Sequence, residues 1–197
     1  MIQQFYQEHF NDMSYPAAQT VCIRKTSDEW GIFGNYAKTP IQVNGVTFDC
    51  TERLFQMMKF RPDATEGIND LMGIGGGLRM KMHLKRLYKE HPEWFHNHWW
   101  SMSVDAMKFC LMQKYEQCEA FRKELKRSKG KYIVEDETAH ARKNGGKADR
   151  WGTVLHGDAY VGSNLLGRLL MELRDNGTLS YTLPDDALDF IKSCKPV

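Results

Sequence analysis

The sequence predicts an α+β protein: a single, mainly helical domain with a few short strands. Apolar residues recur at helical spacing over most of the chain after residue 50, and helix-stop signals separate the segments. Short β-branched runs lie mainly before residue 50. At 197 residues, of which 42% are hydrophobic, the chain can bury one domain, and it shows no repeat or linker. We therefore predict an N-terminal extension at residues 1–20 and one domain at residues 21–197.

The first predicted elements are strands. Val21–Arg24 is a short β-branched run, and turn residues follow it at positions 26–31. Asn44–Gly45 then separates the runs at residues 41–43 and 46–48, and Asn-Gly between two such runs is the strongest short-range signal for a β-hairpin. The sequence therefore predicts a hairpin that leads directly into the next element.

A helix with a polar stripe follows the hairpin. Asp49 is placed to cap its first turn, and Glu52 stands three residues later, as in a capping box. Glu52, Gln56 and Lys59 have the spacing i, i+4 and i+7, which places them on one helix face. An acid, an amide and an amine on one face can line a reaction site. The alternative on spacing alone is a capping box followed by a solvated face.

Helical signals dominate the remainder of the chain. Helices are predicted at about residues 63–72 and 78–89, in the segment from Trp100 through Tyr115, and at residues 119–129, 165–175 and 184–193, with one more strand at residues 132–135. Glycine-rich residues 73–77 precede the basic helix at 78–89. A connector is the favoured interpretation of these glycines, because no strand precedes them and no Lys-Ser/Thr pair follows to complete a phosphate-binding loop.

Composition limits the classes of partner. The formal net charge is only +2, so no global field favours nucleic acid or membrane. The five cysteines contain no C-x-x-C pair, which is typical of reduced thiols in a cytoplasm. The N-terminus lacks a signal peptide, and no apolar stretch approaches membrane-spanning length. His91, His96 and His98 lack a metal-ligand spacing. We expect a cytoplasmic protein with no membrane partner, no metal and no cofactor.

Three motifs in order are similar to those of one known family. They are residues 26–36 (TSDEWGIFGNY), residues 51–60 (TERLFQMMKF), and Trp151–Gly152 followed by residues 162–174 (GSNLLGRLLMELR). A weaker echo lies at residues 113–117 (QKYEQ). Together they resemble the NADAR family, the NAD- and ADP-ribose-associated proteins that include YbiA-type N-glycosidases. The resemblance covers roughly residues 21–176.

The resemblance implies cleavage of an N-glycosidic bond to a ribose that carries phosphate or ADP, through an oxocarbenium-like state. It implies three catalytic residues. Glu52 stabilises the developing positive charge or orients the ribose hydroxyls, Lys59 attacks C1 or acts as a general acid, and Asp149 moves protons. The family usually places this aspartate three residues before Trp-Gly, whereas Asp149 stands two before. Residues 138–147 and the span from Gly152 to Gly162 are also longer than expected.

The resemblance also implies a set of substrate-binding residues. Trp151 would stack on the base, and the residues at the start of the following helix would offer N–H groups to phosphate. The full set is Phe33, Asn35, Tyr36, Gln56, Trp151, Gly152, Gly162 and Asn164. The structural alternatives are core positions for Trp151 and Phe33 and a helix cap for Asn164.

Three functions remain open on these grounds. The first is removal of ADP-ribose from a nucleobase, with guanine in DNA preferred, which would reverse toxin-type ADP-ribosylation and release ADP-ribose. The second is hydrolysis of a phosphoribosylamino-pyrimidine of riboflavin biosynthesis, and the third is a non-catalytic ADP-ribose or NAD-binding module. Basic residues favour the first, because a nucleic acid offers phosphates. They are Arg142, Lys143, Lys147 and Arg150, and the cluster from Arg122 to Lys131. Retention of both Glu52 and Lys59 argues against the third.

Overall fold

The computed structural model describes residues 11–142 and 145–194. Its helices in this part of the chain are α1 (Thr51–Met57), α2 (Thr65–Gly73), α3 (Leu78–Glu90), α4 (Trp99–Gln117), α5 (Glu119–Arg127), α6 (Thr138–Ala141) and α7 (Leu165–Asn176). Its strands are β1 (Met13–Pro16), β2 (Thr20–Ile23), β3 (Ile41–Val43), β4 (Val46–Phe48), β5 (Tyr132–Glu135), β6 (Val154–His156) and β7 (Ala159–Gly162). The α+β class and the mainly helical content are confirmed. None of the described helices is long and apolar enough to cross a membrane.

The described residues form two compact units. Unit 1 contains residues 11–37 and 119–179, apart from positions 143 and 144, and unit 2 contains residues 38–118 and 180–194. Each unit contains both helices and strands, so each is described by itself.

Unit 1 is built on two small sheets. Strands β1, β7 and β6 form an antiparallel sheet in that order, and β2 pairs in parallel with β5. Helix α7 packs on β5, and Tyr15, Val134 and Tyr160 form a buried cluster. No strand was predicted before Val21, but β1 pairs with β7 from Met13 opposite Gly162 to Pro16 opposite Ala159. The strand was missed because its stability comes from this partner and not from the local propensity of its own residues.

Unit 2 contains the predicted hairpin, which is confirmed residue for residue. Strands β3 and β4 pair from Ile41 opposite Phe48 to Val43 opposite Val46. The turn residues Asn44 and Gly45 have φ of 48° and 83°, the left-handed conformation that a two-residue hairpin turn requires. Helix α4 packs on both α1 and β3.

One end of α4 is attached to the hairpin by side-chain hydrogen bonds. Gln117 accepts the backbone N–H of Gln42 at 2.8 Å and donates to the carbonyl of Gln42 at 2.9 Å. The amide thus pairs with both backbone groups of one β3 residue, as a neighbouring strand would. This contact accounts for the glutamine that ends the QKYEQ segment.

Two predicted helix features are wrong. Helix α1 has Cys50 at its N-cap position with no side-chain capping bond, so Asp49 and Glu52 do not form a capping box. Asp49 instead pairs with Arg53, at 2.6 Å between Oδ1 and Nε. The last predicted helix, at residues 184–193, is reduced to a 3₁₀ turn at Asp189–Ser193.

Lys114 of α4 is fully buried, and this leads to a prediction about pH. Burial lowers the pKa of Lys114 to about 7, against the smaller opposing effects of Cys118 and Cys50. The unfolded chain therefore holds a proton that the folded chain releases above pH 7, and stability must rise with pH. We expect the free energy of unfolding to increase by about 1.5 kcal/mol between pH 7 and 8.5, measured by urea denaturation.

The matched control for this prediction is Lys114→Met, which keeps an unbranched chain of similar length without the amine. The free energy of unfolding of this variant should stay constant between pH 7 and 8.5. An increase as large as that of the wild type would contradict the prediction. The window ends at pH 8.5 because burial raises the pKa of Cys50 and of Cys194 to about 11, which lowers stability at higher pH.

Candidate functional site

The polar stripe of the second motif is present in unit 2. Among residues 51–60, seven are buried and three are only half-buried. The three are Glu52, Gln56 and Lys59. A solvated helix face would show exposed side chains, whereas these three side chains are only half-buried in an otherwise buried segment. The burial pattern therefore favours a binding surface over the solvated-face alternative.

A hydrogen bond orients Glu52 and Gln56, the first two members of the stripe. The Nε2 group of Gln56 donates to Oε1 of Glu52 at 2.6 Å. This bond holds the carboxylate in one rotamer one turn away along α1. The Oε1 atom of Gln56 is buried and has no hydrogen-bond partner among residues 11–142 and 145–194. Since a buried carbonyl oxygen without a partner is unfavourable, this atom is a candidate acceptor for a substrate hydroxyl or N–H.

The spacing predicted that Lys59 lies in the same helix as Glu52 and Gln56. The structure instead places it in the turn after that helix. Helix α1 ends at Met57. The backbone N–H of Lys59 donates to Gln56 at 3.2 Å, and its carbonyl accepts the N–H of His96 at 2.9 Å. The backbone of Lys59 is thus held at both its N–H and its carbonyl group. Its Nζ lies 5.3 Å from the centre of the Trp99 ring and 5.8 Å from that of Phe55.

Trp99 lies beside Lys59 and was not among the residues predicted from the sequence. Its ring packs edge-on against Phe55 at 5.1 Å between centroids, and both rings approach the Lys59 amine. Aromatic faces attract a cation, so they stabilise the ammonium form and restrict where it can lie. The local signal was only a tryptophan-rich segment, and nothing in it pointed to a lysine 40 positions earlier.

A buried guanidinium fixes the start of the stripe-bearing helix. Arg53 is 4% exposed and donates to the carbonyls of Leu71 at 2.6 Å and Ile74 at 2.8 Å, besides its ion pair with Asp49. Burial tends to raise the pKa of Asp49, but the hydrogen bond and charge of Arg53 outweigh it and hold that pKa below its usual value. Arg53 thereby connects the first turn of α1 with the glycine-rich connector before α3.

A separate cavity in unit 2 has a volume of about 650 Å³. Its lining includes Arg61, Asp63, His96 and Asp186, and no stripe residue is part of it. Burial holds the pKa of His96 below its ordinary value. No group of three or more His, Cys, Asp or Glu side chains suited to a metal ion is found in the part of the chain that the structure describes.

In unit 1, the first motif forms a 3₁₀ turn at Gly31–Phe33. Phe33 is fully buried, 5.5 Å from the Trp30 ring and 6.1 Å from that of Phe121. This matches the structural alternative of a core position. Asn35 is also buried, while Tyr36 remains half-buried. Of these three predicted substrate-binding residues, Tyr36 therefore has the most accessible side chain.

Asp149 and Trp151 lie in one turn of unit 1. Oδ1 of Asp149 accepts the N–H of Trp151 at 2.7 Å, and the N–H of Asp149 donates to Oε2 of Glu137 at 2.8 Å. Asp149 is exposed and Trp151 half-buried, with the Arg150 guanidinium 5.2 Å from its ring centre. Trp151 is therefore not a core residue. Glu137, which was not among the predicted site residues, holds this turn through its hydrogen bond from the N–H of Asp149.

The two glycines predicted to bind substrate sit where the backbone is tightly packed. A Cβ at Gly162 would lie 2.6 Å from the carbonyl oxygen of Gly152, and one at Gly152 would lie 2.6 Å from Cγ of Glu137. Both positions therefore have a packing reason to be glycine.

Asn164 likewise has structural partners. Its Nδ2 donates to Ile133 at 2.9 Å and its backbone N–H to Gly152 at 3.1 Å. Its side chain makes no helix cap. These contacts do not support the expectation that Asn164 offers its N–H to phosphate.

We predict that Gly152→Ala destabilises unit 1 through Glu137. The new methyl group would also lie 2.9 Å from Cδ of Glu137 and 3.0 Å from the carbonyl oxygen of Glu135. We expect a loss of about 1–3 kcal/mol in the free energy of unfolding, the range for overpacking, measured by urea denaturation. In a Glu137→Ala background the same substitution should cost at least about 0.5 kcal/mol less. If Gly152→Ala lowers the free energy of unfolding equally with and without Glu137→Ala, the clash is with the backbone of Glu135 and not with Glu137.

The predicted basic residues of unit 1 differ in their surroundings. Arg142 and Lys147 are exposed, and Lys143 lies outside the described residues. In α5, Arg127 pairs with Glu29 at 2.8 Å and lies 3.8 Å from the Trp30 ring centre. Arg127 is thus engaged in holding the first motif.

The fold is a mixed helix–strand architecture, and its second motif holds an acid, an amide and an amine as the half-buried residues of a buried segment. The sequence matches the NADAR domain over residues 21–176, and the chain belongs to the NADAR family. It is 30% identical to N-glycosidase YbiA of Escherichia coli (strain K12) over 150 residues, which are 76% of this chain and 83% of that protein.

Two further comparisons add detail. The NMR structure of the E. coli protein YbiA superposes with a TM-score of 0.60 at 28% identity, covering 80% of this chain and 84% of that one. The riboflavin biosynthesis protein VVA0006 of Vibrio vulnificus (strain YJ016) is 25% identical over 179 residues, 90% of this chain. The match spans 43% of that longer protein. The predicted family and fold are therefore confirmed.

Proposed function

We propose that this chain is an N-glycosidase that removes ADP-ribose from a nucleobase, with guanine in DNA as the preferred substrate. Family membership and the names of the YbiA relatives support the reaction type, hydrolysis of an N-glycosidic bond. One structural observation carries the proposal: Glu52, Gln56 and Lys59 are the half-buried polar residues of an otherwise buried segment. A site for this reaction needs negative charge near the anomeric carbon and a group that assists the leaving base.

The proposed chemistry assigns charge stabilisation to Glu52 and gives Lys59 one of two alternative roles. As the bond from C1 to the base nitrogen breaks, positive charge develops at C1, and the Glu52 carboxylate, oriented by Gln56, stabilises it. The ammonium group of Lys59 protonates the departing nitrogen, and water adds to C1 to give free ADP-ribose. If Lys59 is neutral, its amine instead forms a bond to C1 as the bond from C1 to the base nitrogen breaks, and a proton of the amine passes to the departing base. The bond from C1 to the ring oxygen then opens to give a Schiff base, and water hydrolyses it to free ADP-ribose and the original amine.

The aromatic rings beside Lys59 bear on these two routes. Trp99 and Phe55 stabilise the cation, which favours the route through protonation of the leaving group. For the nucleophilic route, Lys59 must first lose a proton inside the site. Borohydride reduction during turnover distinguishes them, because only a Schiff base gives a permanent adduct on Lys59.

The test of the proposal is incubation with three compounds: a DNA oligonucleotide carrying ADP-ribosyl guanine, the matching ADP-ribosyl guanosine, and a phosphoribosylamino-pyrimidine. Mass spectrometry should detect free ADP-ribose and restored guanine. Turnover of the pyrimidine alone would replace the proposal with the metabolite reaction. That alternative has support of its own in the relative named as a riboflavin biosynthesis protein. Binding of ADP-ribose with no turnover of any compound would identify a non-catalytic module.

Trp151 remains our candidate for stacking on a nucleobase or adenine, since its ring is half-buried beside a cation. We expect Trp151→Ala to weaken ligand binding by about 1–3 kcal/mol and Trp151→Phe to retain much of it. The measurement is titration with ADP-ribose, followed by tryptophan fluorescence and calorimetry. Unfolding of the alanine variant, with no ligand-dependent fluorescence change in the wild type, would contradict this role.

A further inference from the structure

Helix α3 concentrates positive charge on its surface. It carries Arg79, Lys81, Lys85, Arg86 and Lys89 and a single acid, Glu90. Five cations and one anion give this helix a formal charge of +4, twice the +2 of the whole chain. All five basic residues are exposed, whereas Met80, Leu84 and Leu87 are buried. The small net charge of the protein therefore conceals a strongly cationic helix face.

Three of the lysines form a row. Lys81, Lys85 and Lys89 are spaced i, i+4 and i+8 and, together with Tyr88, occupy less than about a third of the helix circumference. Like charges at i, i+4 oppose helix formation. Within residues 11–142 and 145–194, no ion pair reaches these three lysines, and Glu90 pairs with Arg86 at 3.7 Å. The row is thus available to an anionic partner that would relieve its repulsion.

The dimensions of the row suit a nucleic-acid backbone. Lys81 and Lys89 are separated by about 12 Å along the helix axis, at about 1.5 Å per residue. That distance corresponds to three or four nucleotides of one strand at about 3.4 Å each. Tyr88 is 54% exposed, and its ring is held by Phe95 at 4.8 Å, so an aromatic face stands beside the cations. Cations with an adjacent aromatic ring are typical of nucleic-acid surfaces.

The helix is also connected to the polar stripe. Arg53 follows Glu52 directly and donates to the carbonyl of Ile74 in the connector that leads into α3. Asp49, its ion-pair partner, lies at the same connector, where a Cβ at Gly76 would be 3.3 Å from Oδ2. One buried guanidinium therefore links the start of the catalytic helix to the segment that positions the cationic one.

We propose that α3 binds the sugar-phosphate backbone of the nucleic acid that carries the modified base; this rests on the proposed function and adds the polymer contact to it. A membrane surface is the other polyanion to consider. A helix that lies on a membrane inserts a continuous apolar face. Met80, Leu84 and Leu87 of α3 are buried within unit 2, and the exposed large apolar side chains among its described residues are Met82 and Tyr88. Two such side chains beside five exposed cations do not form a continuous inserting face, so the exposed side of α3 is better suited to phosphate contacts.

The test compares two triple variants of the full chain. Lys81→Gln/Lys85→Gln/Lys89→Gln removes the row, and Lys25→Gln/Lys38→Gln/Lys192→Gln removes the same charge from exposed lysines scattered elsewhere. Binding to an unmodified fluorescent 20-base-pair duplex is measured by anisotropy at several salt concentrations. We expect the row variant to bind at least about tenfold more weakly at low salt, with a salt slope smaller by about 2–3. The control should remain within about twofold of the wild type.

Three results would overturn the proposal. The first is equal weakening in both variants, which would show a general charge effect, and the second is no weakening in the row variant. The third is row-dependent binding to phosphatidylserine vesicles without binding to the duplex, which would identify a membrane surface.

A readout on substrate separates this proposal from the proposed function. The row variant should process ADP-ribosyl guanosine like the wild type and slow only on the modified oligonucleotide. If the wild type turns over neither compound but still binds the duplex through the row, the proposed function fails and the nucleic-acid surface stands.

Discussion

Replacement of Lys59 by alanine is expected to lower turnover at least about a hundredfold while the fold remains intact, the scale of losing a catalytic group. The side chain lies beside two aromatic rings in a turn that is held at both backbone groups, so its removal eliminates the amine and leaves the backbone hydrogen bonds of the turn in place. Initial rates on ADP-ribosyl guanosine measure the effect, and circular dichroism and thermal unfolding check the fold. Near-normal turnover in a folded variant would exclude Lys59 from the chemistry.

Two variants serve as controls for this result. Lys108→Ala removes another lysine of unit 2, which pairs with Asp105 at 3.4 Å, and it should leave the rate unchanged. Glu52→Gln keeps an oxygen that can accept from Gln56 but removes the negative charge. If turnover falls strongly in Glu52→Gln, Glu52 acts through its negative charge. If turnover falls only slightly, Glu52 acts through hydrogen bonds to the ribose.

Gly167→Ala is expected to be the most destabilising single substitution proposed here. Gly167 lies in α7, and a Cβ at this position would be 2.0 Å from the backbone carbonyl oxygen of Ile133 in β5 and 2.6 Å from the side chain of Asn164. A backbone atom within a sheet cannot move aside as a side-chain end can. We expect a loss of at least about 3 kcal/mol, measured by urea denaturation, or a failure to obtain folded protein.

Gly73→Ala is the matched control for that prediction. Gly73 is the last residue of α2, and no heavy atom of the described residues lies within 4 Å of a Cβ built there. Alanine is the better helix former, so this variant should keep wild-type stability or gain up to about 1 kcal/mol. A Gly167→Ala variant as stable as Gly73→Ala would show that α7 can move away from β5.

Helix and strand predictions succeeded where the signal is local. The β3–β4 hairpin follows from Asn44–Gly45, because two residues with positive φ determine the turn without help from distant parts of the chain. The strands β1, β6 and β7 were not predicted. Each is three or four residues long. Strand β1 depends on a partner about 150 positions away, whereas β6 and β7 form a hairpin across residues 157 and 158 whose local turn signal was not recognised.

The behaviour of Asp49 shows how tertiary contacts change a local prediction. The cap position and the spacing to Glu52 predicted a capping box, and both residues are present as required. Arg53 is buried, however, and a buried guanidinium needs a counter-charge and acceptors for its N–H groups. Asp49 supplies the charge, and the carbonyls of Leu71 and Ile74 supply the acceptors. For Asp49, the ion pair with the buried Arg53 is therefore more favourable than a capping hydrogen bond at the start of α1.

The sequence by itself determined the family, the α+β class, the hairpin and the segment that holds Glu52, Gln56 and Lys59. Only the tertiary structure decided which distant residues meet within each unit: Trp99 lies beside Lys59 in unit 2, and Glu137 packs against Gly152 in unit 1. The reason is physical. Spacing along a helix or turn follows from covalent geometry that is the same in every chain, whereas contacts between distant segments depend on how the whole core packs.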